Sequence, residues 1–513
     1  MSVTKKLVKN RKYDTVNDEG RPSYSIDDKH MLVNMALLGT LDSTFYKSED
    51  ENKTMLFDTI NKWTEEDVDF LIKTAIYAKE VGGKRTSPIA LMVKASTLDF
   101  DKFKTNYSRV IKTPKDWSQF MDLARSKSLG RVGIGSGIKK LMISDIAGYN
   151  DYLALKYSGE IREMIRMARP KESINPSVIP YIMRRETVNK KGEVNQYFNN
   201  LELYKKGKIS FAEFSKERVY PYELVSSFGT SPEIWEYLMN TSPIFNFLRN
   251  LRNYFANVDA DKVLERMEKV FTKEAIKHSK IFPAQLYIAY KENVKDWDIE
   301  KPPLKFYRFK DIMTNAIKAS LENIAIPFEG RVAVLGDISG SMTSTLTSSH
   351  SDINAAMVVG LVTASIMEKN DVIFLPFDSG IRVGGISAMA NATDFLSRVS
   401  TVENMVGGGT NLAVGFEYLT TFNNKVDNII GITDNESWFG NDVENAIKTY
   451  IKKINPNVKI WLMTIVPNDT QMTKSSNPNI TYLYGWNDDI FSLSKSKTVD
   501  EQIKEIEAIK WIV

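Results

Sequence analysis

The stretch Val332-Ala333-Val334-Leu335-Gly336-Asp337-Ile338-Ser339-Gly340-Ser341 decides how the C-terminal part of this chain folds. Its first half is an apolar run that predicts a buried β-strand, and Asp337 follows where that strand ends. Open α/β sheets place their ligands beyond the C-terminal ends of their strands. Asp337, Ser339 and Ser341 offer one carboxylate and two hydroxyls, and such oxygen donors suit Mg²⁺. The stretch therefore predicts a divalent-cation loop at a sheet edge.

Two later segments add oxygen donors to this loop. The glycine-rich turn Gly407-Gly408-Gly409-Thr410-Asn411 brings in the Thr410 hydroxyl, and the apolar run 429–432 leads into Asp434. An Asp-x-Ser-x-Ser motif on its own is also typical of helix caps and turns, but here three segments follow in order, each after an apolar run. The predicted metal residues are Asp337, Ser339, Ser341, Thr410 and Asp434, for Mg²⁺ or Mn²⁺. Asp434 and the nearby Glu436 are interpreted as holding metal-bound water.

This set of residues resembles the von Willebrand factor A (vWA) domain and its metal-ion-dependent adhesion site. From residue 326 to residue 513 apolar strands alternate with helices, which predicts a doubly wound α/β domain with a parallel sheet. The predicted segments are Val332–Leu335, Asp352–Lys369, Val372–Pro376, Asn411–Phe422, Asn428–Thr433, Asp442–Lys453, Lys459–Val466, Ile480–Tyr484 and Val499–Ile509.

Residues 1–325 show amphipathic helical spacing instead. Helices are predicted at Glu65–Glu80, Glu160–Arg169, Ser231–Met239, Asp261–Phe271 and Pro283–Lys291. Repeated helix pairs without a strict sequence period predict an all-α solenoid. The polar, lysine-rich stretch Glu186–Lys216 is interpreted as a surface insertion or as a segment with a helix near Leu201.

The length and composition of the chain exclude several kinds of protein. The chain has 513 residues, too many for one ordinary core, so several domains are expected. Its 68 basic and 64 acidic residues nearly balance, so a nucleic-acid surface must be a local patch. No cysteine is present, which excludes disulfides and thiolate metal sites. With only three histidines, a zinc site or a Ser-His catalytic pair is not expected. Without a long apolar stretch or signal peptide, we expect a cytoplasmic protein and no membrane partner.

One local patch is strongly basic. Between Asp101 and Lys171 there are fifteen Lys and Arg against seven Asp and Glu. In Glu160–Arg169, the residues Arg162, Arg166 and Arg169 form a stripe that is separate from the apolar one, and aligned guanidinium groups suit phosphate. A glycine-rich segment containing Arg131 and ending in Lys139 and Lys140 lies nearby and suits phosphate as well. The alternative is a solvated helix face with ion pairs.

The N-terminal half resembles the TROVE domain of the Ro family of RNA-binding proteins. The matching segments include Gly20-Arg21-Pro22-Ser23-Tyr24-Ser25-Ile26-Asp27-Asp28, Arg85-Thr86-Ser87-Pro88-Ile89-Ala90-Leu91-Met92, Ile165-Arg166-Met167-Ala168-Arg169-Pro170, Leu248-Arg249-Asn250-Leu251 and Lys280-Ile281-Phe282-Pro283. Ro proteins join a TROVE domain to a C-terminal vWA domain, so the resemblance covers nearly the whole chain. The composition, rich in Lys, Asn and Ile, fits a bacterial or phage origin.

The resemblance implies a TROVE ring of HEAT-like helical repeats over residues 1–325, closed by a vWA domain over residues 326–513. It also implies a basic central hole for single-stranded 3′ ends of misfolded or unprocessed RNA, and a rim for small structured Y RNAs. Lys139, Lys140 and Lys156 fall at rim positions, and Arg166 and Arg169 near the hole. Arg169 replaces the family's histidine, so base preference is expected to differ. The candidate RNA residues are Arg131, Lys139, Lys140, Lys156, Arg162, Arg166, Arg169 and Arg249.

The favoured function is therefore RNA binding in RNA quality control, by a monomeric protein. Two alternatives remain: a metal-dependent module that captures an acidic residue of a protein partner, with an exoribonuclease as a candidate, and a structural component of a larger, including viral, particle. No general base or activated nucleophile accompanies the predicted metal residues, so the protein is not expected to be an enzyme.

Overall fold

The structure is a computed structural model, and it describes residues 13–17, 20–38, 49–279, 281, 283–298, 301–322, 328–343, 354–434, 442–465, 470–474, 477–484 and 498–511. The chain divides into two compact units. The first contains residues 1–91, 282–284 and 320–513, and the second contains residues 92–281 and 285–319. The predicted boundary at residue 325 divides the chain by secondary-structure class, whereas these units divide it by contacts, so that boundary stays a prediction.

The strands are β1 (Thr15–Val16), β2 (Pro22–Ser25), β3 (Val332–Asp337), β4 (Val372–Phe377), β5 (Asn428–Thr433), β6 (Lys459–Thr464), β7 (Thr470–Gln471) and β8 (Ile480–Tyr484). The helices are α1 (Asp28–Leu38), α2 (Glu49–Asn61), α3 (Val68–Glu80), α4 (Thr86–Leu98), α5 (Phe100–Val110), α6 (Pro114–Ser126), α7 (Ser136–Gly148), α8 (Asp151–Lys156), α9 (Ser158–Ala168), α10 (Val178–Arg184), α11 (Gln196–Lys205), α12 (Phe211–Ser215), α13 (Tyr222–Val225), α14 (Pro232–Thr241), α15 (Ile244–Arg249), α16 (Leu251–Asn257), α17 (Ala260–Val270), α18 (Lys273–Ser279), α19 (Pro283–Val294), α20 (Leu304–Leu321), α21 (Ala355–Met367), α22 (Val383–Asn391), α23 (Phe395–Glu403), α24 (Ala413–Thr421), α25 (Val443–Lys453) and α26 (Val499–Ala508).

A five-stranded parallel sheet forms the centre of the first unit. Its strand order is β4-β3-β5-β6-β8. Strand β4 lies on one side of β3, whereas β5, β6 and β8 are added in turn on the other side. The direction in which strands are added therefore reverses between β3 and β5. Because parallel crossovers are right-handed, steps in opposite directions place their helices on opposite faces. The predicted doubly wound α/β architecture is confirmed, and the polar residues after β3 and β5 flank the reversal point.

Apolar helices cover this sheet. Helix α21 is buried along nearly its whole length and packs against α23, whereas α24 packs against α25. The Asn354 side chain caps α21 by accepting a hydrogen bond from the Met357 N–H, and Asp394 and Ser397 form a capping box at the start of α23. A helix that is apolar on all its faces is expected to be buried, and α21 accordingly lies in the core of the unit.

A second, small sheet joins N-terminal to C-terminal residues within the first unit. Its order is β1-β2-β7, with both pairs antiparallel, and Tyr24 lies opposite Gln471. The side chain of Tyr24 is buried, and its hydroxyl donates to the carboxylate of Glu444 on α25. Residues 1–325 are thus not purely helical, because β1 pairs with β2 and β2 pairs in turn with β7.

The second unit is built from short helices whose apolar faces pack together. Helix α6 is typical: Thr113 and Asp116 form a capping box at its start, and Trp117, Phe120 and Met121 are buried. The five helices predicted before residue 325 are present, each within a few residues of its expected bounds. In Glu186–Lys216 a helix does include Leu201, since α11 and α12 lie there. No helix in the described ranges is long and apolar enough to cross a membrane.

Candidate metal centre and basic helices

Asp337 is the innermost group of the candidate metal centre. It ends β3 next to β5, is fully buried, and accepts hydrogen bonds from Ser339 and Thr433. The Ser339 N–H donates to its Oδ1 at 2.9 Å, and the Thr433 hydroxyl donates to its Oδ2 at 2.7 Å. These contacts fix the orientation of the carboxylate at the C-terminal edge of the sheet.

The two predicted serines lie in the turn that follows. Ser341 begins a buried part of the short 3₁₀ helix at Gly340–Thr343, and Ser339 is also buried. Their hydroxyl oxygens are 3.0 Å apart. The two hydroxyls and the nearby carboxylate of Asp337 are oxygen donors of the kind that hard cations prefer.

The loop that carries Thr410 is joined to this turn by backbone hydrogen bonds. The Gly407 N–H donates to the Ile338 carbonyl at 2.8 Å, and the Gly340 N–H donates to the Gly408 carbonyl at 3.0 Å. Gly408 has φ +83°, a conformation that side chains disfavour, and a Cβ there would lie 2.4 Å from Asp378 Oδ2. Glycine is therefore required where the loop approaches the β3 turn, and Thr410 follows it, buried.

Asp434 completes the set at the end of β5. It is buried, and burial together with its charge raises the pKa of Asp337 to about 7. Two buried carboxylates at one sheet edge repel each other, and a divalent cation between them would remove that repulsion. The predicted donors are carboxylate and hydroxyl oxygens, which fit Mg²⁺ or Mn²⁺. Among the described residues, no three or more His, Asp or Glu side chains form a group that could hold a metal. Glu436 lies outside the described residues.

A further buried carboxylate, which the sequence interpretation did not name, lies beside the predicted metal residues and is paired with an arginine. Asp378 follows β4 directly, beside Asp337 in the neighbouring strand, and is 3% exposed. Its carboxylate accepts from Gly380 N–H at 3.1 Å and pairs with the Arg382 guanidinium, with Nε 2.6 Å from Oδ2. The sequence pattern is the same as for Asp337, namely an aspartate at the end of an apolar run. Asp-Ser-Gly is also typical of an ordinary turn, so the pattern alone does not identify Asp378.

The basic residues of the second unit lie on several packed helices. Helix α9 carries Arg162 and Arg166 and packs against α6, α7, α8 and α10. Lys139 and Lys140 lie on α7, and Lys156 ends α8. The structure therefore brings these five cations together on three neighbouring helices. Arg166 and Lys140 are exposed, whereas the other three are half-buried.

The predicted stripe of three arginines is correct for two of them. Helix α9 ends at Ala168, and Arg169 caps it in the left-handed conformation with φ 53°. Pro170 disfavours a helical residue before it, so Arg169 leaves the helical direction while staying exposed. It follows that Arg169 does not continue the line of Arg162 and Arg166.

Three of the other candidates differ in what they contact. The Arg131 guanidinium donates to the Ser96 carbonyl at 3.0 Å and to the Gly133 carbonyl at 3.2 Å, so it holds the glycine-rich turn together. Lys156 lies 3.5 Å from a carboxylate oxygen of Glu223 and over the ring of Tyr157. Arg249 is exposed at the end of α15, which packs on α16. Arg131 is thus the candidate most engaged within the fold.

Comparison with known proteins agrees with this architecture. Residues 331–495 match the family model of the Ro60 vWA domain. The Ro (RSR) protein of Deinococcus radiodurans has a similar structure, with a TM-score of 0.64 over 91% of this chain and 99% of that chain, at 16% sequence identity. The chain has the Ro fold. No curated protein matches its sequence.

The Ro fold confirms the resemblance that the TROVE and vWA motifs predicted. The matched vWA region includes β3, β4, β5 and β6 and every predicted metal residue. At this identity the likeness shows the fold and leaves individual residue roles to the local geometry.

Proposed function

We propose that this protein binds RNA, accepting single-stranded 3′ ends of misfolded or unprocessed RNA and small structured, Y-like RNA. The observation that carries the proposal is the Ro fold over nearly the whole chain, combined with the cluster of cations on α7, α8 and α9. A role in RNA quality control follows from the family that the fold resembles.

The chemistry of the basic helices supports phosphate as the ligand. The chain as a whole has a net charge of only +4, so the fifteen cations between residues 101 and 171 form a local feature. Exposed Arg166 has no carboxylate to hold it in the described contacts, whereas Arg125 of α6 pairs with Glu163 of α9 at 2.7 Å. Arg166 is therefore available for the bidentate contacts that arginine makes with phosphate oxygens.

Fluorescence anisotropy with labelled RNA tests this function. A duplex with a single-stranded 3′ tail should bind more tightly than a blunt duplex of equal length, and the affinity should fall steeply with salt because phosphate contacts release counterions. No measurable binding to either RNA at low salt would contradict the RNA proposal. Equal binding of both would contradict the preference for 3′ ends.

We also propose that the C-terminal edge of the sheet binds Mg²⁺ or Mn²⁺ through Asp337, Ser339, Ser341, Thr410 and Asp434. The observation that favours this second activity is the buried carboxylate pair surrounded by hydroxyls. A bound divalent cation would supply an open coordination position for an acidic group of a protein partner, and an exoribonuclease is one candidate.

Electron paramagnetic resonance of Mn²⁺ measures this binding directly. Adding the protein to free Mn²⁺ should reduce the free-ion signal with a stoichiometry of about one, and Mg²⁺ should restore it by competition. A signal that is unchanged by excess protein would reject the metal site.

A further inference from the structure

An exposed arginine lies beside the candidate metal centre, and neither the fold comparison nor the proposed metal set assigns it a role. Arg382 lies at the end of the loop after β4, directly before α22, and its side chain is 54% exposed. It is anchored at one end by the buried carboxylate of Asp378. An exposed guanidinium held by a buried acid has a fixed position, unlike a free surface arginine.

Short contacts connect this arginine to the Thr410 loop. Asp378 packs on Gly408, its backbone carbonyl accepts from the Asn411 N–H at 2.8 Å, and the adjacent Ser379 hydroxyl accepts from the Gly409 N–H at 3.1 Å. The residues on both sides of Thr410 are thus bonded to the loop that carries Arg382. The arginine is therefore part of the rim of the metal centre.

The guanidinium has N–H donors to spare. Its contacts with Asp378 use Nε and Nη2 and converge on one carboxylate oxygen, so Nη1 takes no part in them. Arginine donates through all three nitrogens and forms two parallel bonds with a carboxylate. The exposed part of Arg382 can therefore bind a second acid while Asp378 keeps the group in place.

The neighbours of Arg382 indicate what kind of molecule carries that acid. Val383 follows it and is 66% exposed, and a Cβ at Gly384 would meet no atom within 4 Å. An exposed aliphatic side chain beside an open glycine suits the methylene groups of an acidic amino acid. A phosphate group carries no methylene chain of this kind next to its charge.

We propose that Arg382, positioned by Asp378, forms a second acid-binding subsite beside the metal, and that the combined site recognises an acidic peptide segment with at least two carboxylates. One carboxylate binds the cation and a neighbouring one binds Arg382, with Val383 against the side chain between them. This inference rests on the proposed metal site. It goes beyond that site because it specifies a segment with adjacent acids in place of a single acidic residue.

The test uses the full-length protein with saturating Mg²⁺ and two labelled peptides, one with four consecutive glutamates and one with a single glutamate among glutamines. Arg382→Gln should weaken binding of the four-glutamate peptide by roughly fivefold or more and change binding of the single-glutamate peptide by less than about twofold. The matched control is Arg331→Gln, because Arg331 is a similarly exposed, ion-paired arginine that precedes β3 at the opposite edge of the sheet.

A second variant covers loss of stability, since Arg382→Gln leaves Asp378 buried without its cation. Asp378→Asn combined with Arg382→Gln removes both charges, and it should give the same selective loss. Mn²⁺ affinity, measured by paramagnetic resonance, should stay within about twofold in both variants. An equal loss for both peptides, the same loss in the Arg331 control, or a fall in Mn²⁺ affinity would each overturn the proposal.

Two further outcomes would also contradict the acidic-peptide proposal, and each has a different result. If the wild-type protein does not bind Mn²⁺, the metal site fails, and the combined site fails with it. If a single-stranded oligonucleotide competes with the four-glutamate peptide on the wild type but not on Arg382→Gln, the subsite takes RNA phosphate and the peptide assignment is wrong.

Discussion

The hydroxyl of Tyr24 in β2 donates a hydrogen bond to the buried carboxylate of Glu444 in α25, although 420 residues separate them in the chain. The same carboxylate pairs with Lys448 at 2.6 Å one turn along the helix. An N-terminal strand thus contributes a polar contact to the core of the unit that contains the vWA sheet.

This contact predicts a loss of stability when the hydroxyl is removed. Tyr24→Phe should lower the free energy of unfolding by about 1–2 kcal/mol, because Glu444 loses a donor while it stays buried. Urea denaturation followed by tryptophan fluorescence measures the change. Tyr307→Phe is the matched control, since Tyr307 is 51% exposed and should change the value by less than about 0.5 kcal/mol. Equal effects of both variants would show that the contact contributes little.

The metal centre predicts opposite effects of one substitution with and without cation. Asp337→Asn removes the charge that repels Asp434, and its amide keeps an acceptor for the Ser339 N–H and a donor for the Thr433 oxygen. In chelator the variant should therefore melt at or above the wild-type temperature at pH 8. In Mg²⁺ or Mn²⁺ only the wild type should gain stability.

Differential scanning fluorimetry checks this prediction, and Asp371→Asn serves as control. Asp371 is an exposed aspartate paired with Arg331 at the opposite edge of the sheet, so its variant should keep the full response to the cation. A cation response that survives in Asp337→Asn would exclude Asp337 as a ligand.

The basic helices predict a local effect of charge reversal on RNA affinity. Arg166→Glu combined with Arg169→Glu should weaken binding of a 3′-tailed RNA by at least about tenfold at physiological salt, because two phosphate-binding cations become repulsive. The control is Lys206→Glu combined with Lys208→Glu, an equal change in charge at two exposed lysines beyond α11. Filter binding of the three proteins compares them. Similar losses in both double variants would mean that overall charge, and not this surface, governs the affinity.

Asp145 on α7 predicts a dependence of stability on pH in the second unit. It accepts hydrogen bonds from Tyr107 at 2.8 Å and Trp117 at 2.7 Å, yet burial raises the pKa of its carboxyl. The folded state therefore holds the proton more tightly than the unfolded chain. Because of this, the contribution of Asp145 to the free energy of unfolding is lost as the pH rises from about 4 through its folded-state pKa.

Asp145→Asn tests this because an amide does not titrate and can still accept from Trp117 and donate to Tyr107. The stability of the variant relative to the wild type should rise with pH over that interval, measured by urea denaturation at several pH values. Asp122→Asn on α6 is the control, since its exposed side chain should leave stability within about 0.5 kcal/mol. A relative stability that falls with pH would contradict the assignment.

Strands β3, β4 and β5 were predictable from sequence because each is a largely apolar run that leads into an aspartate at or just after its end. The β3 and β5 predictions, together with the motif residues after them, identified the sheet edge at which Asp337 and Asp434 lie. Register was not needed for this, since the C-terminal ends of parallel strands meet at the same edge.

Other features lacked a local signal. Strands β1, β2 and β7 span two to four residues of mixed polarity, and they form because of a partner far away in the chain. Helix α22 was missed because Gly384 and Gly385 weaken its helical pattern. Arg169 was placed in line with Arg162 and Arg166 because periodicity does not show at which residue a helix stops.

The pairing of β2 with β7 has a consequence for synthesis on the ribosome. Residues 22–25 emerge early, whereas their hydrogen-bonding partners at residues 470–471 emerge only after nearly all of the parallel sheet has been translated. At roughly 5–20 residues per second this interval is about 20 to 90 seconds. During that time the edge of β2 that pairs with β7 is unpaired, so the nascent chain carries an exposed strand that chaperones are expected to cover until the small sheet closes.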